Sequence, residues 1–345
     1  EYTAMGDAVN LAARMESIAE PGTILITDAT RKALDDDFRI ESVGPVEVKG
    51  KSEPVLVHRL LGLPEGHHPF LSPRRVQSPL VGREAEVNRL CQKISTLQEN
   101  SGGICAVVGE AGLGKSRLVL EARQAEASDS LWAVARSLAY TQSTSYSTVR
   151  QLFTALLGGR PKDTPETLGA MIRRDLEERA PTVLPEVFPY LALMMGLSLE
   201  PDLRHRLQSL DPGLLQQRIY HAFRTYLQLR ASEQPLVLVW EDFHWVDPSS
   251  LTVLESLIPM LSVAPILSVL TYRHGEERAE NFAALARRLC GHRFETIDLK
   301  PLPDIESARL LSNLLGESLL SEDIRNEILR KTDGNAFFLE EVVRQ

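Results

Sequence analysis

The chain has 345 residues, 43% of them apolar and 25% charged, with a net charge of −9. That composition is ordinary for a water-soluble globular protein of one to three domains, and the acidic balance argues against a nucleic-acid-binding surface. Cys91, Cys105 and Cys290 lie far apart without a C-x-x-C, and no run of about 18 apolar residues occurs, so a zinc site, a disulfide framework and a membrane span are not indicated and a reducing, cytoplasmic setting is expected.

From Asp7 to Ala19 the pattern is an amphipathic helix. Val9, Ala12, Ala13, Met15 and Ile18 form an apolar stripe, and Asn10, Arg14 and Ser17 share another face. Pro21-Gly22 ends it. A strand is expected over residues 23–27, then a short helix capped by Asp28 and running to Leu34. Phe38 to Ser42, Val46 to Lys49 and Val55 to Leu61 read as strands, with Gly44-Pro45 and Gly50-Lys51 as turns. About 60 residues are few for an independent core. Glu1 begins inside a motif and Gln345 ends inside a helical pattern, so the sequence reads as part of a longer protein.

The run from Tyr2 to Glu16, with Pro21 to Ile26 and Val48 to Val55, resembles the class III nucleotidyl cyclases, the adenylate and guanylate cyclases, over about residues 1–61. The resemblance implies the C-terminal part of a ferredoxin-like α+β domain. It implies that Asn10 and Arg14, one helical turn apart, act on the ribose and triphosphate of ATP in the transition state. Thr3 would select the purine and favour adenylate over guanylate chemistry. Lys51, or alternatively Lys49, would meet the terminal phosphates. Such domains form their sites between two protomers, so a homodimer is implied, and the family's metal-binding Asp residues belong to a preceding half-domain. Residues 1–345 alone are therefore expected to carry half a cyclase site, and cyclic AMP made by the purified chain would contradict that.

Residues 62–79 are rich in Pro and Gly, lack periodicity and read as a linker. His67-His68 has no acidic or Cys partner nearby and reads as solvated rather than metal-binding.

After Leu80, a helix is expected to about Leu97. The apolar strand Ile104–Val108 then leads into Gly109-Glu110-Ala111-Gly112-Leu113-Gly114-Lys115-Ser116 and a helix from Arg117. The spacing G-x-x-x-x-G-K-S between a strand and a helix is that of a phosphate-binding P-loop. Glycines let backbone N–H groups turn inward, and the helix N-terminus adds positive potential. Lys115 reaches the β- and γ-phosphates, and Ser116 offers a hydroxyl to Mg²⁺. The nucleotide-contacting set is thus Gly109 through Ser116 together with Arg117.

Leu131 to Ser137 is the second strand, followed by a helical insert over about residues 148–230 broken at Gly158-Gly159, Pro181, Pro185, Pro189 and Pro201. Leu236–Trp240 is a continuous apolar strand ending in Glu241-Asp242. Acidic residues at that tip suit a metal and water site, with Glu241 on Mg²⁺ and Asp242 as general base or water-positioning group. Asp247 reads as the cap of the next helix. His244 and Trp245, in the same turn, read equally as packing residues and as neighbours of the nucleotide. Arg273 ends the next strand, either facing a γ-phosphate or lying on the surface. A last strand, residues 294–299, precedes helices over 304–315, 321–332 and 336 onward, with Gly334 at a helix C-cap.

Residues 79–345 resemble the STAND branch of AAA-like P-loop ATPases. The resemblance rests on Val81-Gly82-Arg83-Glu84, on the P-loop, on Leu238 to Asp247, on Thr271-Tyr272-Arg273 and on Gly334 to Glu341. It places Val81, Gly82 and Arg83 near the adenine. Ala336 stands where the family usually has Pro, which removes one expected base contact.

The fold expected is α/β: a truncated cyclase segment (1–61), a linker (62–79), a doubly wound parallel P-loop core (80–300) and a helical lid (301–345). Two functions remain. One is an adenylate cyclase, making cyclic AMP and pyrophosphate, joined to a regulatory ATPase that uses ATP and Mg²⁺. The other is a nucleotide-dependent switch or scaffold whose cyclase segment only dimerises. A cyclic-nucleotide assay on an upstream-extended protein separates them.

Overall fold

The computed structural model describes residues 7–20, 22–34, 38–48, 54–62, 79–126, 129–160, 163–315 and 320–344. The chain divides into two compact units, Glu1–Pro73 and Arg74–Gln345.

The smaller unit contains α1 (Asp7–Ile18), β1 (Ile24–Thr27), α2 (Asp28–Ala33), β2 (Arg39–Val46) and β3 (Val55–Gly62). Its antiparallel sheet has the order β1-β3-β2. The reading of Gly44-Pro45 as a turn is corrected: both lie inside β2, where the register slips between Ser42 and Gly44. An edge strand tolerates proline because its missing N–H costs no ladder bond, and Gly44 takes the bulge at φ +102°. The cap of α2 is Thr27, whose hydroxyl accepts from the Thr30 amide at 3.2 Å. Asp28 is the first helical residue, and its carboxylate meets the buried His58 ring at 3.2 Å.

The larger unit is built on one five-stranded parallel sheet. Before it comes α3 (Glu84–Ser95). Then follow β4 (Gly103–Val108), α4 (Lys115–Ala125), β5 (Leu131–Arg136) and five helices: α5 (Ser147–Leu156), α6 (Pro165–Arg179), α7 (Leu184–Met195), α8 (Pro201–Gln208) and α9 (Pro212–Ala231). The sheet resumes with β6 (Leu236–Glu241), α10 (Pro248–Leu261), β7 (Ile266–Tyr272), α11 (Glu277–Cys290) and β8 (Phe294–Asp298). The chain closes with α12 (Asp304–Leu315), α13 (Glu322–Thr332) and α14 (Ala336–Arg344). Strand order is β5-β6-β7-β4-β8.

Alternation along the central strands builds the layers, because successive side chains leave opposite faces. Cys105, Val107, Val237, Val239, Leu267 and Val269 point to one face, against Leu90 and Ile94 of α3 and Leu118 and Val119 of α4. Ile104, Ala106, Leu236, Leu238, Trp240, Ile266 and Leu270 point to the other, into the core shared with α10, α11 and the insert. Every residue of β4, β6 and β7 is buried, which explains their unbroken apolar sequences.

Within the insert, Pro189 is not a break. It lies inside α7, whereas Pro185 and Pro201 occupy first-turn positions where the missing N–H is harmless. α12 to α14 and Val81 form a separate small core around Leu302, Leu310, Leu311 and Leu339.

Candidate functional site

The loop between β4 and α4 turns on Gly112 (φ +82°) and Gly114 (φ +92°), conformations that a side-chain-bearing residue resists. A Cβ at Gly114 would meet nothing within 4 Å, so there is open space beside the loop at the start of α4. There the first amides of the helix have no intrahelical acceptor, which makes an anion site. Lys115 is the first residue of α4 and is buried. Its Nζ donates to the carbonyls of Gly109 (2.7 Å) and Glu110 (2.9 Å). Burial pulls its pKa down from the usual lysine range, while Asp242 pushes it back up and Arg273 adds to the lowering.

The Ser116 hydroxyl stands near the carboxyl group of Glu241 at the tip of β6 and favours its charged form. Glu241 is buried, and its Oε1 has no hydrogen-bond partner among the described residues. Burial raises its pKa; the nearby Ser116 hydroxyl and the Arg136 charge oppose that. A buried carboxylate oxygen with an unused lone pair beside a hydroxyl fits a hard cation of the Mg²⁺ type, which takes few protein oxygens and completes its shell with phosphates and water.

The raised pKa has a testable sign. Below the unfolded value of 4.5, both folded and unfolded forms are protonated and nothing is lost. As pH climbs through the folded value, the cost of a buried charge sets in. Glu241→Gln is expected to melt a few degrees above wild type at about pH 8, the scale produced by about 1 kcal/mol in a domain of this size, and to converge with it at about pH 4. Scanning calorimetry without nucleotide checks this.

Asp242 has a left-handed backbone (φ +49°, ψ +43°), and its amide donates to Thr271 Oγ1 at 3.1 Å. Strained backbone of this kind concentrates at functional sites. Its carboxylate is held by Arg136 Nε at 2.7 Å. Arg136 ends β5 opposite Glu241 in the parallel register. The sequence reading misses this pair, because Arg136 is an unremarkable last residue of a strand until β5 is placed beside β6.

Arg273 follows β7 and is exposed, within electrostatic range of Lys115. Arg117, partly buried, pairs with Glu121 on its own helix. Val81 lies in the small C-terminal core; Arg83 is buried, donating to the Lys300 carbonyl and to Glu86.

The turn before α14 sits on the P-loop. Asn335 Nδ2 donates to the Ala111 carbonyl at 2.9 Å, and the Phe337 amide to the Gly112 carbonyl at 3.1 Å. A Cβ at Gly112 would collide with Asn335. The C-cap of α13 is Asp333 in the left-handed region, with Gly334 following it.

In the smaller unit Asn10 is exposed and Arg14 half-buried, both on α1. Thr3, Lys49 and Lys51 lie outside the described residues.

Residues 79–270 match the family model described as AAA ATPase domain. Residues 1–61 match the model described as adenylate and guanylate cyclase catalytic domain. An uncharacterized protein of Rhizobium meliloti (strain 1021) is 29% identical over 344 residues, covering 98% of this chain and 32% of the relative. Adenylate cyclase type 10 of Oryctolagus cuniculus is 22% identical over 280 residues, covering 78% of this chain and 17% of that protein. This chain thus spans about a third or less of both. Among solved structures, Cdc6p from Pyrobaculum aerophilum is similar at 16% identity and a TM-score of 0.47, over 80% of this chain and 63% of that one. Among the described residues no helix is long and apolar enough to cross a membrane.

Proposed function

Because this chain belongs to the AAA ATPase domain family, we propose that its larger unit binds Mg·ATP on the loop Gly109–Ser116. The observation that carries the reading is the meeting of Lys115, Ser116, Glu241 and Asp242 at one end of the parallel sheet. Loop and helix amides receive phosphate oxygens, and Lys115 exchanges two loop carbonyls for phosphate charge. Ser116 and Glu241 hold Mg²⁺, which neutralises charge on the phosphates when bound. Asp242 orients water, positioned by Arg136 through their ion pair. Arg273 faces the terminal phosphate, and Val81, Gly82 and Arg83 lie toward the base.

The chain joins this ATPase domain to a segment of a cyclase catalytic domain. The complete protein is proposed to be a cytoplasmic signalling adenylate cyclase that converts ATP to cyclic AMP and pyrophosphate in a homodimer. Asn10, Arg14 and Lys51 would stabilise the transition state, with Thr3 at the purine. The domains proposed are the cyclase segment (1–61), a linker (62–79), the ATPase core (80–300) and the lid (301–345).

One observation favours the switch reading for the larger unit. The amide groups of Asn335 and Phe337 bond the P-loop itself, so nucleotide occupancy and the seating of α12–α14 share the same loop. Titrating Mg·ATP into the whole chain by calorimetry is expected to give saturable binding to one site; a flat isotherm would remove the proposal.

A further inference from the structure

We propose that His244 hydrogen-bonds the terminal phosphoryl group of the bound nucleoside triphosphate and so distinguishes triphosphate from diphosphate. The inference rests on the P-loop reading above and adds a residue to it.

His244 lies in the short turn Phe243–Trp245 that follows Asp242. The turn is anchored on both sides. Phe243 is inserted into the core, edge-on to Phe282 at 5.1 Å and Trp240 at 6.5 Å. The Trp245 amide donates to the Asp242 carbonyl at 2.8 Å, and Arg278 Nη1 to the Val246 carbonyl at 2.7 Å. The backbone that carries the imidazole is therefore held in place.

The imidazole residue is 4% exposed, and neither Nδ1 nor Nε2 has a hydrogen-bond partner among the described residues. A neutral imidazole carries one donor and one acceptor, and burying both unpaired is costly. Burial does keep this ring neutral, pulling its pKa down, with Glu276 and Asp242 opposing and Arg273 and Lys115 reinforcing.

Other buried orphans, such as the Tyr226 hydroxyl, Trp240 Nε1 and Ser268 Oγ, belong to the apolar core or its walls. Among the described residues two orphans instead lie within electrostatic range of the charged groups of the site, Glu241 Oε1 and the His244 ring. They are complementary: the first suits a cation, the second an anionic oxygen. The strand order decides which oxygen. β7 separates β4 from β6, so a group that follows β6 meets what projects from the P-loop past Arg273. That is the far end of the phosphate chain.

The test compares Mg·ADP with a non-hydrolysable Mg-bound ATP analogue, by calorimetry on the whole chain. His244→Phe is expected to lose about tenfold in triphosphate affinity, the scale of one hydrogen bond to a charged group, with diphosphate affinity unchanged. His244→Gln, which keeps a donor, is expected to recover most of it. A triphosphate-to-diphosphate ratio equal to wild type in His244→Phe overturns the inference. If the wild-type chain binds neither nucleotide, the P-loop reading falls and this inference with it; binding with an unchanged ratio sinks only the inference. Should His244→Phe not fold, ¹⁵N-imidazole shifts of wild type decide. A His244 shift with the triphosphate and none with ADP supports the inference; equal response to both overturns it.

Discussion

Lys115→Ala is expected to lower the affinity of the chain for Mg·ATP by at least about 100-fold, or about 2.7 kcal/mol. The amine is the one cation inside the loop's curve that is both buried and tied to loop carbonyls, at Gly109 and Glu110. Burial already disfavours its charged form, so a polyanion that arrives beside it gains a strong, poorly screened attraction. Nothing else described at the loop replaces a buried amine: Arg117 pairs with Glu121, Arg136 holds Asp242, and Arg273 is exposed to solvent. Calorimetry on wild type and variant measures the change. The variant also strands two loop carbonyls, so a melting curve must accompany the titration, and Lys115→Met, which keeps the alkyl stem, serves as the folding control. Unchanged ATP affinity in a folded variant would remove the loop from the nucleotide site.

The second large effect is on stability. Asp247, 1% exposed, accepts from three backbone amides: Ser250 at the start of α10 (2.9 Å), and Tyr146 (2.8 Å) and Thr148 (3.1 Å) at the start of α5. It caps two helices whose beginnings are about 100 residues apart in sequence. Ser250 completes the clamp, its hydroxyl accepting from the Val149 amide at 3.0 Å. Removing the carboxylate leaves buried N–H groups unpaired and forfeits charge-assisted bonds. Asp247→Ala is therefore expected to destabilise the larger unit by about 3 kcal/mol, several times an ordinary surface cap. Trp132, Trp240 and Trp245 all lie in that unit, so tryptophan fluorescence in a denaturant titration reports it without the smaller one. Asp247→Asn, which keeps one acceptor oxygen, should lose roughly half as much. A change in unfolding free energy under about 0.5 kcal/mol would mean that the clamp contributes no stability.

Particular residues mark how far the sequence could be read. The P-loop, the apolar strand before it and the acidic tip of β6 are legible because each is a contiguous pattern. Glycines at fixed offsets permit positive φ, and buried central strands must be apolar throughout. Asp247 is legible as the cap of α10 but not as the cap of α5, since nothing near residue 146 names its acceptor. Gly44-Pro45 and Pro189 mislead for one reason. Each is a breaker by local propensity, and each is accommodated by its surroundings, an exposed sheet edge in one case and a helix within a packed bundle in the other. The small core around Leu339 is legible only as three helices; that it gathers Val81 from the other end of the unit is not.

By itself, then, the amino-acid order determined the strand–loop–helix that carries Lys115, the carboxylates at the end of Leu236–Glu241, and the kinship of both segments to known families. Tertiary structure decided who faces whom: Arg136 against Asp242, Asn335 on Ala111, Asp247 between two helices, and His244 buried with neither nitrogen paired among the described residues. The division is physical. Backbone geometry and burial imprint a period on neighbouring residues, whereas contacts between strands depend on the crossover order β5-β6-β7-β4-β8, which leaves no mark on any single stretch of chain.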